Sequence, residues 1–228
     1  MKKLLGVTWI ILISIVLCVR AQNKPGTELH IKKAQGQITL DGVLDEPDWL
    51  QADVAKNWFL NYPVDTALSP FQSEARFTFN DQYLYVSFVC YDDQSPDLIN
   101  SLRRDFDYER NDNVGMNLGP FNDRINGFFF VITPAGVQME GTVSGSGTSE
   151  GSYNIFWDNK WYSKVVRYPD KWICELAIPF KSFRYKAVSE WNLAIDRLDK
   201  KRNMKSSWIH TPIQYTTGSF AYSGQLVW

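Results

Sequence analysis

Seven ionisable side chains crowd one short segment: Arg103, Arg104, Asp105, Asp107, Glu109, Arg110 and Asp112. Guanidinium and carboxylate groups at that density can orient one another and offer charge-assisted hydrogen bonds to a hydroxyl-bearing ligand. A solvated loop of alternating charge produces the same pattern. Aromatic residues also fall in or beside turns: Tyr108 within that segment, then Tyr153, Trp157, Trp161 and Tyr215. Flat apolar rings flanked by planar polar groups suit the C–H face and the hydroxyls of a sugar ring. Tyr108, Arg110, Asp112, Tyr153, Trp157, Trp161 and Tyr215 are therefore the candidate ligand-binding residues. For Trp157 and Trp161 the competing assignment is core packing at the start of a strand.

Asp92, Asp93 and Asp97 place three hard oxygen donors within one short turn, the ligand chemistry of calcium, although caps and turn hydrogen bonds would use them equally well. Other chemistries find less support. Glycoside hydrolysis needs two carboxylates across a scissile bond, and spacing alone places no such pair. His30 and His210 lie far apart, no Ser/His/Asp arrangement stands out, and no helix pattern follows Gly145-x-Gly147 to make it a phosphate cradle. No catalytic residue is assigned. Cys90 and Cys174 occupy apolar positions of strand patterns and read as buried thiols, with a disulfide allowed in an oxidising compartment. There is no Cys-x-x-Cys pair to suggest zinc or redox chemistry.

Strands must position these groups. Apolar residues alternate with polar ones over 29–33, 37–40, 57–62, 74–80, 83–91, 113–118, 127–133, 137–142, 160–168, 171–178, 191–197, 206–210 and 224–228. Turn signals separate them, at Asp41-Gly42, Asn80-Asp81, Thr133-Pro134-Ala135-Gly136 and Tyr168-Pro169-Asp170-Lys171. Short helical pieces are expected at 47–52, capped by Asp45 with Pro47 where its missing N–H does no harm, and at 96–102 behind Ser95. The Gly/Ser/Thr-rich stretch 141–152 is expected to be a mobile loop. So many short strands without a long helical period predict an all-β protein, a β-sandwich or jelly roll. The alternating faces predict Trp49, Leu84, Val86, Phe88, Phe130, Trp172, Leu176 and Ile178 in its core.

Lys2 and Lys3 precede an apolar run over 4–19, short of the roughly 20 residues that span a bilayer, and Ala21 offers a small residue for cleavage. Residues 1–21 read as a signal peptide and 22–228 as one domain, exported to the periplasm, the cell surface or the medium. Losing Lys2, Lys3 and Arg20 takes the net charge from −1 to −4, and a mildly acidic chain without a basic face argues against nucleic acid as a partner. No second apolar run approaches spanning length, so no transmembrane segment is expected in the mature chain. The chain stops on Gln225-Leu226-Val227-Trp228, which reads as a strand closing a sheet or as a domain whose continuation is missing.

The order of these segments resembles carbohydrate-binding module family 9 over nearly the whole mature chain. The likeness begins at Ile38-x-Leu40-Asp41-Gly42 with Glu46 and Trp49, and continues through Asp81-x-Tyr83-Leu84-Tyr85-Val86 to Asp92 and through Asn111-Asp112-Asn113-Val114. Asn126-Gly127-Phe128, Pro134-x-Gly136, Trp172-x-x-Glu175-x-x-Ile178-Pro179-Phe180, Trp191-Asn192-Leu193 with Arg197, and Tyr222-x-Gly224-x-Leu226 extend it. Pro120-Phe121-Asn122-Asp123-Arg124, Trp157-Asp158-x-Lys160-Trp161 and Phe183-Arg184-Tyr185 look closest to a subgroup at the N-terminus of large exported Gram-negative proteins that continue into an outer-membrane β-barrel-like region. The resemblance implies a β-sandwich that binds the ends of sugar chains, often beside a catalytic domain, in polysaccharide capture or breakdown. Two departures stand out. The family's exposed tryptophan before the 113–118 strand is absent, and Gly115 stands where an acid would follow the valine; Tyr215 is the nearest substitute for a second stacking tryptophan. Those departures favour an alternative, a structural or interaction module docked on an outer-membrane or other partner protein with sugar binding lost. Some relatives of this sandwich hold haem through Met with His or Lys, and Met116, Met139, Met204 and His210 keep that reading formally open.

Overall fold

The computed structural model describes residues 27–182 and 184–228. The leader reading of residues 1–21 falls outside the described residues, and no described helix is long and apolar enough to cross a membrane. The strands are β1 (Glu28–His30), β2 (Lys32–Lys33), β3 (Phe59–Tyr62), β4 (Ser73–Phe79), β5 (Tyr83–Tyr91), β6 (Asn113–Gly119) and β7 (Gly127–Ile132). They continue as β8 (Gln138–Val143), β9 (Tyr153–Asn154), β10 (Tyr162–Tyr168), β11 (Lys171–Pro179), β12 (Glu190–Asp199), β13 (Met204–Ser207) and β14 (Gly224–Val227). One short helix, α1 (Pro47–Gln51), joins them.

They form two sheets packed as a sandwich. The larger runs β1-β14-β12-β6-β7-β8-β9, with β13 on the second half of β12 and β3 on β13; the smaller runs β10-β11-β5-β4-β2. Pairing is antiparallel except β1 with β14 and β2 with β4. The chain therefore changes sheets around the buried Ile31, so the single strand expected over 29–33 is two, and β14 lies inside the larger sheet between β1 and β12.

Alternation along the strands fills the space between the sheets. Val114, Met116 and Leu118 of β6, Phe128, Phe130 and Ile132 of β7, and Leu193 and Ile195 of β12 face Leu84, Val86, Phe88 and Cys90 of β5 and Trp172, Cys174, Leu176 and Ile178 of β11. Each such side chain contributes about 1.5–3 kcal/mol on burial, and every residue expected in the core is buried, seven of the eight between the sheets and Trp49 in a separate cluster with Ile38, Tyr85 and Ala177. Cys90 and Cys174 are both free and buried, and burial pushes the Cys90 thiol up to about 11.

Three further local expectations are corrected. Residues 37–40 form no strand, because Ile38 packs down on Trp49, Tyr85 and Ala177 while the Thr39 N–H donates to Glu46 rather than to a sheet edge. Residues 96–102 form no helix, because the N–H groups of Leu98, Asn100 and Ser101 donate to the side chains of Asp112 and Asn111 instead of to one another. The residue capping α1 is Glu46, not Asp45, and it makes no side-chain cap bond. Residues 144–152 fold into two single-turn pieces closed by the Ser144 N–H on the Ser152 carbonyl.

Both sheets also carry apolar groups on their outer faces. On the smaller sheet, Ile38, Trp49, Tyr85 and Ala177 sit under the N-terminal segment. On the larger, Phe106, Phe129, Val131, Val137, Val143 and Phe220 are roofed by the loops around residues 106 and 220, with Tyr108, Met139 and Tyr153 packed against them. That second roof is incomplete, and the gap is the site.

Candidate functional site

A cleft of about 790 Å³ opens on the outer face of the larger sheet. Its floor is sheet: Asn117 of β6, Phe129 and Val131 of β7, Met139 of β8 and Asp196 of β12. These are the positions that alternate with the inward-facing core residues, so the period-2 rule that builds the core also aims this second set outward. One wall is Asp107, Tyr108 and Glu109, and another is the loop 213–218; Asn61, Tyr62, Tyr153, Ile155, Asn203 and Lys205 complete the lining.

The Tyr108 wall is rigidly built. Tyr108–Arg110 is a single helical turn capped by the Asp107 carboxylate, which accepts from the Glu109 N–H at 3.0 Å. Asn113 donates to the carbonyls of Tyr108 and Asn111, both at 2.9 Å, and Asn111 donates to the Asp107 carbonyl at 2.7 Å. Held in this way, the Tyr108 hydroxyl donates to Asp196 Oδ2 at 2.6 Å. The Thr217 hydroxyl reaches the same oxygen at 2.5 Å. Burial pushes the Asp196 carboxyl up, and the two hydroxyl donors oppose that rise. Burial and the Asp196 charge raise Tyr108 well above the usual phenol range and Tyr153 to about 12, so both phenols stay protonated across physiological pH. Lys205 Nζ lies 2.6 Å from Glu109 Oε1 and 5.8 Å from the centre of the Tyr108 ring.

Of the seven residues named for ligand contact, three meet here: Tyr108, Tyr153 and Tyr215. Tyr153 is packed edge-on to Phe129 and accepts from Asn117, whereas Tyr215 is 40% exposed at the rim and stacks obliquely on Tyr222. The other four do not line the cleft. Arg110 is exposed and pairs with Asp107 at 3.1 Å. Asp112 is buried and accepts from the N–H groups of Leu98 and Lys201, so it anchors backbone. Trp161 is a core residue, 4% exposed, set edge-on to Phe130, with its indole N–H on the buried Glu140. Trp157 packs against Phe128 and Phe130. Both tryptophans answer to packing because residues 157–161 bring them against Phe128 and Phe130 on the inner face of β7.

The three aspartates considered for calcium are already neutralised by basic side chains. Asp92 sits 2.6 Å from Lys201, 2.9 Å from Arg202 and 3.3 Å from Arg197. Asp93 pairs with Arg202, and Asp97 with Lys201 and Arg167. Four cations converge where a metal would have to enter, and no acid or histidine cluster suited to a metal exists among the described residues. These groups form an ion-pair clamp between β5 and the turn after β12.

Sequence reasoning missed Asp196 and Asn117. Both lie on strands whose alternate residues are core, so their outward direction was readable; that this outer face is a roofed cleft and not open surface was not. Gly115 also gains a reason. It pairs with Asp196 across β12 and with Val131 across β7, and a Cβ there would come within 2.7 Å of a Val131 methyl and 2.8 Å of the Phe130 carbonyl. No side chain fits at 115, and the carboxylate of this face comes from the neighbouring strand.

No family model matches the chain, and no curated protein matches it. Among solved structures it is similar to a carbohydrate-binding module family 9 domain of Caldicellulosiruptor kristjanssonii in complex with cellotriose, at 14% identity and TM-score 0.61, over 88% of this chain and 92% of that one. A family 9 structure from the same organism in complex with glucose gives 17% identity and TM-score 0.58, over 87% and 94%. A candidate carbohydrate-binding protein of Bacteroides uniformis gives 14% identity and TM-score 0.64, over 88% and 98%. At these identities the likeness is one of fold: this chain is a β-sandwich of the carbohydrate-binding module family 9 type.

Proposed function

We propose that this chain is an exported, non-catalytic carbohydrate-binding module that takes the end of a sugar chain into the cleft above β6, β7 and β12. The observation that carries the reading is the pairing, in one cleft, of partly exposed tyrosine rings with buried polar side chains, on a fold whose structural neighbours hold cellotriose and glucose. A hydroxyl-rich ligand already hydrogen-bonds well to water, so net affinity must come from its apolar face and from polar groups fixed in advance. Tyr62 and Tyr215 at the rim supply faces; Asn117 and Asp196, locked by their own hydrogen bonds, supply fixed polar atoms. The leader-like N-terminus supports export, and attachment to a polysaccharide-degrading partner would give the module its use.

Protein purified from the periplasm or medium, starting at Gln22 by intact mass, is expected to bind short glucan oligosaccharides with a Kd on the order of micromolar to millimolar. Tyr215→Ala removes one exposed ring worth about 0.5–1.5 kcal/mol of stacking and should weaken binding up to about tenfold. A folded protein that ignores plant, algal and bacterial glycans alike would move the assignment to the interaction module. Phe156, 92% exposed next to the cleft residue Ile155, is the feature that would then serve a protein partner.

A further inference from the structure

On the saccharide reading, on which this inference rests, the donors and acceptors of the cleft set the charge of the sugar it selects. The hydroxyl protons of Tyr108 and Thr217 go to Asp196, and that of Thr216 goes to the Gly147 carbonyl. The Lys205 ammonium is held by Glu109. Asn117 uses its amide group twice, on the Tyr153 hydroxyl at 3.1 Å and on the Gly218 carbonyl at 2.6 Å. The Tyr153 hydroxyl accepts from Asn117, and its own proton takes no hydrogen-bond acceptor among the described residues, so one donor stays open beside the acceptors. Asp196 accepts both of its bonds on Oδ2, and neither Asp196 Oδ1 nor Asn117 Oδ1 takes a hydrogen bond among the described residues. Both side chains line the cleft while more than nine-tenths buried, at 8% and 6% exposure. The floor therefore holds two open, fixed acceptors, one of them a carboxylate, and its nearest ammonium is already paired.

We propose that the cleft selects a sugar end bearing a free primary amine, a glucosamine-type residue, over its neutral counterpart, and disfavours uronic acids. An ammonium brings three donors and no acceptor, which is the complement of this floor. A charge-assisted bond to a carboxylate is roughly twice as strong as a neutral one. A uronate would bring acceptors and a second negative charge against Asp196.

The test is calorimetric titration of the whole protein, at low salt and pH 6, with three trimers: glucose, glucosamine and N-acetylglucosamine. The glucosamine trimer is expected to bind about tenfold or more tightly than the glucose trimer. Acetylation, which removes the charge without touching the protein, should abolish that preference, and Asp196→Asn should bring the glucosamine-to-glucose ratio to about one. Glucose-trimer binding with no amine preference, or a preference that survives acetylation, would overturn this inference and leave the saccharide reading standing. Silence with all three trimers would overturn both.

Discussion

Trp161 and Tyr215 are both aromatic residues beside turns, and the structure gives them opposite work. The Trp161 indole N–H meets Glu140 Oε2 at 3.0 Å, while Arg104 and the Asn159 N–H satisfy Oε1. Glu140 is 1% exposed, so removing one of its donors leaves a buried charge partly unsatisfied, at about 1–3 kcal/mol. Trp161→Phe keeps an aromatic ring but loses that donor and part of the buried ring volume, which adds a cavity cost. It should lower the unfolding free energy by at least that amount, read as a lower denaturant midpoint, and leave oligosaccharide affinity unchanged, whereas Tyr215→Ala should do the reverse. Denaturation and titration of both variants decide it; reduced affinity in Trp161→Phe with an unmoved midpoint would return Trp161 to the ligand. What separated the two residues was which face of the larger sheet their segments fold over. That is a tertiary fact, absent from local spacing, and it is why only three of seven sequence-named contacts reached the cleft.

Elements were more legible than residues. β5 and β11, buried on their inner faces, are located by alternation to within a residue, whereas β13 is displaced from the expected 206–210 to Met204–Ser207. Misreadings came where side chains took over the role of a ladder, at residues 37–40 and 96–102. The motif around Asp41-Gly42 shows the same substitution. Glu175 of β11 accepts from the N–H groups of Asp41 and Gly42 and from the Trp49 indole, so one buried carboxylate ties the N-terminal turn to the smaller sheet. The clamp around Asp92 links the sheets at the other end. Burial alone would raise the Asp92 carboxyl, but hydrogen bonds and charge from Lys201, Arg197 and Arg202 outweigh it and hold it below the usual 3.8. With the folded value below the unfolded one, the native state binds fewer protons in that interval. The stabilisation is thus full above about 3.8 and is lost as pH falls through the lowered value. Asp92→Asn takes a charged partner from Arg197, 3% exposed, which keeps Asp199 at 3.9 Å and the Tyr91 carbonyl at 2.8 Å, and should cost about 1–3 kcal/mol near neutral pH. Its difference from the parent protein should shrink as the pH is taken below that point. A pH-independent difference in urea titrations would remove Asp92 ionisation as the source of the clamp.

At the scale of the molecule, the two sheets divide the labour. The smaller sheet is sealed on its inner face by the core and partly covered outside by the N-terminal turn and α1. The larger sheet carries the core on one face and the cleft on the other, so β6, β7 and β12 are at once buried core strands and most of the floor of the site. A ligand seated there meets a rigid floor and two walls made of loop, residues 107–110 and 213–218, whose order depends on hydrogen bonds to that floor. Binding to the native state alone stabilises it by RT ln(1 + [L]/Kd), about 2.7 kcal/mol at a hundredfold excess over Kd. Segments that open locally without global unfolding should show the protection first. Hydrogen exchange with saturating oligosaccharide is therefore expected to slow at residues 107–110 and 213–218, with little early change in β10, β11 and β4 of the smaller sheet. Early protection centred on the smaller sheet, or on the exposed Phe156 with the two walls unchanged, would mean that the sugar sits elsewhere on the sandwich.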